Sequence, residues 1–167
     1  MKKILIALLL IIILPVLAWS AGSSFVVTTD KEYRSGMREL TLTFVGDDAT
    51  GAIPDLTLTA STWTDGTNSG THSSLLGYWG DEVQIDGNHA GIEPTENSEL
   101  YIYQGGQDLL DGNGVDMVDN TAERTVFFQA DGLPKRRPFN GSWTIRVTQQ
   151  AAATASATGT IKIILTK

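Results

Sequence analysis

The sequence contains no cysteine at all. Disulfides, thiolate metal sites, iron–sulfur clusters and cysteine nucleophiles are thereby excluded, and the fold must rest on its core. Histidine is almost as scarce, with only His72 and His89 in 167 residues. His72 sits in a Ser/Thr/Gly stretch and His89 in the turn Gly87-Asn88-His89-Ala90-Gly91. A cation site made of both and a carboxylate such as Asp86 is the one metal arrangement they offer, and nothing in their spacing selects it. No Gly-x-Ser-x-Gly elbow, His-Glu-x-x-His helix or phosphate-binding glycine loop is present. An acid pair for glycoside hydrolysis cannot be picked out by spacing among 19 Asp and Glu residues. The chain therefore reads as a non-enzyme.

Positive charge is also thin, with 12 Lys and Arg against 19 Asp and Glu and a net charge of −7. Its one cluster, Lys135-Arg136-Arg137 between Pro134 and Pro138, is too short for a nucleic-acid track and reads as a solvated loop. No nucleic-acid partner is expected.

What the chain does have begins at its N-terminus. Met1-Lys2-Lys3 precede an unbroken apolar run from Ile4 to Leu14, then Pro15 and the small-residue tail Ala18-Trp19-Ser20-Ala21. That order is a secretory signal peptide, so residues 1–20 are expected to be a leader and 21–167 a single domain, with cleavage after Ser20 or Ala21. The alternative is a retained anchor. Against it, the run is shorter than the roughly 20 residues a span needs, and Pro15 breaks a helix near its end. With no second apolar run of that length, the mature chain is expected to be exported without a membrane span. It would work outside the cell, at its surface or in the periplasm. Removing Met1–Ser20 takes away Lys2 and Lys3 and no acid, which leaves ten basic residues against nineteen acidic and a net charge near −9. About 146 residues suffice for one hydrophobic core without disulfides.

Alternation of apolar and polar residues dominates the rest. Leu40, Leu42 and Phe44 fall on one face, with Thr41 and Thr43 on the other, the period of a half-buried strand. The same pattern covers Leu56–Thr59, Val83–Ile85, Leu100–Tyr103, Trp143–Thr148 and Ile161–Leu165, and Phe25–Val27 and Thr125–Phe128 are further strand candidates. Turn signals such as Gly46-Asp47-Asp48, Asp65-Gly66-Thr67-Asn68, Asp111-Gly112-Asn113-Gly114 and Asp131-Gly132 separate them. About eight short strands with regular turns predict an all-β antiparallel sandwich, jelly-roll or Ig-like Greek key, with little helix. Thr121–Arg124 is a candidate single helical turn. Ser61–Ser74 reads as a long polar loop, either functional or mobile. Ala151–Gly159 reads as the link of a C-terminal hairpin, with helix as the alternative because alanine favours it. In that hairpin Trp143, Ile145 and Val147 pair beside Ile161, Ile163 and Leu165.

Two segments carry candidate chemistry. Asp108, Asp111, Asn113 and Asp116 lie in a glycine-containing acidic run whose Gly112-x-Gly114-x-Asp116 spacing echoes one turn of a calcium-binding β-roll. A single copy offers half a site, and the competing reading is a loop whose side chains bond their own backbone. Trp63, Tyr78 and Trp79 are candidates for a glycan platform, together with Tyr101 and Tyr103. The two tyrosines share the face opposite Leu100 and Ile102, which is either solvent-exposed or packed on the second sheet. Packing is expected, because aromatics fit pleated surfaces.

The run from Gly91 to Ile102, the turn Gly106-Gln107-Asp108-Leu109-Leu110-Asp111-Gly112-Asn113-Gly114, and the endings Gly141-Ser142-Trp143-Thr144-Ile145 and Gly159–Leu165 resemble a family of small structural proteins encoded by tailed phages and prophages. The likeness covers roughly Val83 to Lys167, about half the chain. It implies a β-sandwich that takes part in a virion and has no active site. The leader departs from that family, whose virion proteins assemble in the cytoplasm. An exported cellular relative, built into a cell surface or an extracellular filament, reconciles the two. The first expectation is accordingly an exported structural protein that packs against copies of itself or another structural protein. The alternative is a secreted glycan- or calcium-binding module.

Overall fold

The structure, a computed structural model, describes residues 22–86, 98–118, 123–148 and 156–167. The expected leader, His89, Thr121-Ala122 and 151–155 of the Ala/Thr/Ser link lie outside the described residues. The first sheet runs β1 (Ser24–Glu32), β2 (Arg38–Val45), β14 (Thr158–Thr166), β6 (Trp79–Asp86) and β12 (Arg137–Pro138), with β9 (Arg124–Phe127) also on β6. The second runs β5 (Ser69–Thr71), β4 (Thr62–Thr64), β3 (Leu56–Leu58), β13 (Trp143–Thr148), β7 (Glu99–Gln104) and β8 (Gln107–Asp108). A small ribbon joins β10 (Gln129–Ala130) to β11 (Leu133–Pro134). Every pairing is antiparallel. The expected all-β sandwich is the fold, and all eight strand candidates are strands.

Period-2 alternation builds the core. Leu40, Leu42 and Phe44 of β2, Val83 and Ile85 of β6 and Ile161, Ile163 and Leu165 of β14 are buried against Leu56, Leu58, Leu100, Ile102, Trp143, Ile145 and Val147 of the second sheet. The C-terminal hairpin does not form. β13 pairs with β3 and β7 in the second sheet, whereas β14 lies between β2 and β6 in the first. The apolar sets of β13 and β14 do both face the core, but from opposite sheets. Periodicity fixes which face of a strand is buried and leaves its neighbour open. The long polar loop is also corrected, because Thr62–Thr64 and Ser69–Thr71 pair as a short hairpin. Asp65 closes its turn by accepting the amides of Thr67 and Asn68.

Trp143 is fully buried, with its ring 5.1 Å from those of Phe128 and Phe139 and its indole N–H donated to Gln104 Oε1 at 2.7 Å. Arg38 is the charged counterpart. Its side chain is 1% exposed and forks onto Asp30, with Nε to Oδ1 at 2.7 Å and Nη2 to Oδ2 at 2.8 Å. The remaining donors reach the carbonyls of Ser74 and Ser73, both at 2.6 Å. Asp30 also accepts the Ser73 amide at 2.9 Å, so one ion pair ties β1 and β2 to the strap that leads into β6. Tyr78 lies beside Arg38 and donates to Glu32 at 2.6 Å, and Lys167 reaches the same carboxylate at 3.1 Å.

Burial alone would raise the Asp30 pKa. The bonds from Arg38 and the Ser73 amide, with the charge of Arg38, outweigh it and hold the carboxyl below its usual value. A carboxylate depressed in the fold contributes stability that is full above the unfolded value near 3.9 and lost as pH falls through the folded one. Replacing Arg38 by Met strands a partly buried aspartate and is expected to cost about 3–5 kcal/mol. It also raises the Asp30 pKa, so thermal melts from pH 7 to pH 3 should show a smaller acid-induced loss in Arg38→Met than in wild type. An equal loss in both would mean that the pair is not ionised. Trp143→Ala is expected to cost about 3–5 kcal/mol as well, read by the same melts. A change of only a few degrees would place the ring outside the core.

Candidate interaction surface

The residues chosen from sequence separate in space. Tyr78 is 3% exposed and occupied by Glu32 and Arg38. Trp63, half-buried on β4, packs partly on the core and lies over Gly70, where a Cβ would stand 2.5 Å from Nε1. Trp79 is 44% exposed, but on the first sheet, with Thr166 and Pro138 as its cross-strand neighbours. Trp63 and Trp79 thus lie on different sheets, and Tyr78 is buried beside Arg38.

The acidic run is a tight turn held by its own backbone. Asp108 accepts the amides of Leu110 and Gly112 at 3.1 and 2.9 Å, and Asp111 accepts that of Gly132 at 2.7 Å. Asn113 donates to the carbonyls of Leu110 and Asp111. Asp116 is exposed, with φ of 55°. Gly114 is required for another reason: its backbone lies close against β7, Leu100 N–H donates to its carbonyl at 2.8 Å, and a Cβ would overlap the Leu100 oxygen. Together with bonds from Leu109 to Ile102 and Val118 to Ser98, this closes the outer edge of β7. Among the described residues no three His, Asp or Glu side chains gather as a cation site, and no pocket opens. His72 directs its two ring nitrogens at the carbonyls of Ser73 and Thr62.

Sequence reasoning placed Tyr101 and Tyr103 against the second sheet, and here it is corrected. Leu100 and Ile102 take the inner face, so the tyrosines stand on the outer one. Their rings stack, with centroids 5.6 Å apart and planes 14° apart. Arg146 on β13, cross-strand from Tyr101, lies over the Tyr103 ring at 5.7 Å and forks onto Asp55, with Nε to Oδ1 at 2.8 Å. Glu99 accepts from Tyr101 at 2.8 Å and from Thr148 at 3.0 Å. The bond to Glu99, with smaller contributions from burial and nearby negative charge, pushes the Tyr101 phenol up to about 12. The face is thus a set of aromatic and charged side chains that hold one another in place. The alternation of Leu-Tyr-Ile-Tyr marked it, because only one side of a sandwich sheet can be core.

No family model, curated protein or solved structure matches the chain.

Since the Asp108 oxygens already accept two amides, Asp108→Ala is expected to lower stability by about 1 kcal/mol, equally in EDTA and in millimolar calcium. Differential scanning fluorimetry in the two buffers checks this. A calcium-dependent rise in wild-type Tm that the variant lacks would restore the turn as a calcium site.

Proposed function

We propose that the chain is an exported, non-enzymatic structural protein that works by packing against copies of itself or another structural protein, at a cell surface, in an extracellular filament or in a virion. The observation that carries this reading is the ordered outer face of Tyr101, Tyr103 and Arg146. Tyrosine and arginine are enriched among the residues that dominate binding energy at protein interfaces. These three are already fixed by stacking and by the bonds to Glu99 and Asp55, so less side-chain entropy is lost on association.

The β1 edge is closed to strand addition, which favours side-chain surfaces as the means of contact there. Edge strands are templates for strand addition unless blocked. β1 is blocked at Phe25, whose amide donates to Asp65 at 2.9 Å, by a register shift between Val27 and Thr29, and by the charges of Asp30-Lys31-Glu32. The leader pattern of Met1–Ser20 supports export, and the resemblance to phage structural proteins supports a role in assembly. Sedimentation velocity and negative-stain imaging of the purified protein test the proposal. Concentration-dependent assembly is expected, whereas a strict monomer at high concentration in both low and high salt would overturn self-packing and leave a different structural protein as the partner.

A further inference from the structure

The two outer faces of the sandwich differ in charge. On the second sheet Tyr101 and Tyr103 stand among the carboxylates of Asp55, Glu99 and Asp108, with Arg146 as the cation. At the far edge of the first sheet the relation is reversed. There Trp79 and Phe127 are 44% and 45% exposed, and the run Lys135-Arg136-Arg137 passes beside them. The Lys135 amide donates to the Phe128 carbonyl, Arg137 lies opposite Gly80, and Pro138 lies opposite Trp79. The carboxylates facing that run are Asp81, 3.7 Å from Arg136, and Glu82, opposite Phe127. Two exposed aromatic side chains beside a basic run thus mark the edge of one sheet, and a stacked aromatic pair among carboxylates marks the outer face of the other.

Symmetry decides how copies can use these patches. An isologous contact sets a patch on itself, and either patch set on itself brings like charges together. Only a heterologous contact joins the basic patch to the acidic one, and in a chain of net charge −7 that basic run is the one cluster able to offset repulsion between copies. We propose that the Trp79, Phe127 and Lys135–Arg137 edge of one copy seats on the Tyr101–Tyr103 face of the next. The contact is head-to-tail and repeats into a filament or a ring. It rests on the self-packing form of the reading above and assigns its two surfaces.

Two double variants test it, in protein produced from the full chain. Lys135→Glu with Arg136→Glu reverses the edge, and Tyr101→Ala with Tyr103→Ala strips the face; none of the four is in the core. Sedimentation velocity should show wild type forming oligomers that weaken as salt is raised. Each variant alone should raise the half-assembly concentration about tenfold or more, the loss of a dominant contact. An equimolar mixture should give a one-to-one dimer and nothing larger, because it retains one intact edge and one intact face. Near-UV circular dichroism confirms folding, and Arg136→Glu and Tyr103→Ala as single changes repeat the comparison with less disturbance. If wild type assembles and either folded variant assembles equally well, or their mixture stays monomeric, the head-to-tail contact is wrong while the structural reading survives. If wild type is monomeric in every salt, this contact and self-packing fall together; if it binds only a different protein, this contact falls and the broader structural reading stands.

Discussion

The sandwich depends on keeping one guanidinium content out of water. Arg38 occupies the inward-facing phase of β2, in line with Leu40, Leu42 and Phe44, where an unpartnered charge would be prohibitive. Its solution dictates the surroundings. Asp30 must stand on β1 opposite the fork, and the chain after β5 must bring two carbonyls, Ser73 and Ser74, within 2.6 Å. That path delivers Leu75 to the core and Tyr78 to the side of the guanidinium, and so sets where β6 begins. A hydrophobic residue at position 38 would leave the strap without an anchor.

With the inner faces committed, the outer faces follow from the pleat. Each buried Leu or Ile on β7 and β13 obliges a neighbour to face outward, and the outward set is Glu99, Tyr101, Tyr103, Thr144, Arg146 and Thr148. Cross-strand pairing puts Thr148 beside Glu99 and Arg146 beside Tyr101, the distances at which such pairs stabilise a sheet. The same contacts that steady the second sheet also hold its outer side chains in fixed positions.

How far the sequence could be read depends on the range of the signal. Alternation is local, and every strand that it marked in Leu40–Phe44, Leu100–Tyr103 or Ile161–Leu165 is present. Partner choice is not local. Trp143–Val147 and Ile161–Leu165 have the same pattern, and nothing in it distinguishes neighbours within a sheet from opponents across a core. Tyr101 was misplaced because aromatic bulk suggested burial, although Leu100 and Ile102 had already claimed the inner side. Asp108 offered two readings from one composition. The distinction lay in whether its oxygens met the Leu110 and Gly112 amides, which only the backbone path decides. Arg38 carried no signal at all: its buried role comes from a strap 35 residues away.

The place of β14 has a temporal side. The last strand in sequence among those described is central in its sheet, between β2 and β6. Without it, β2 with β1 and β6 with β9 and β12 are two separate ribbons with no strand to join them. Pairings of such long sequence separation form slowly, so the joining of the two ribbons follows the formation of each. The continuity of the first sheet thus rests on a single strand. A cut before Thr158 would therefore split the first sheet down its middle rather than trim its edge.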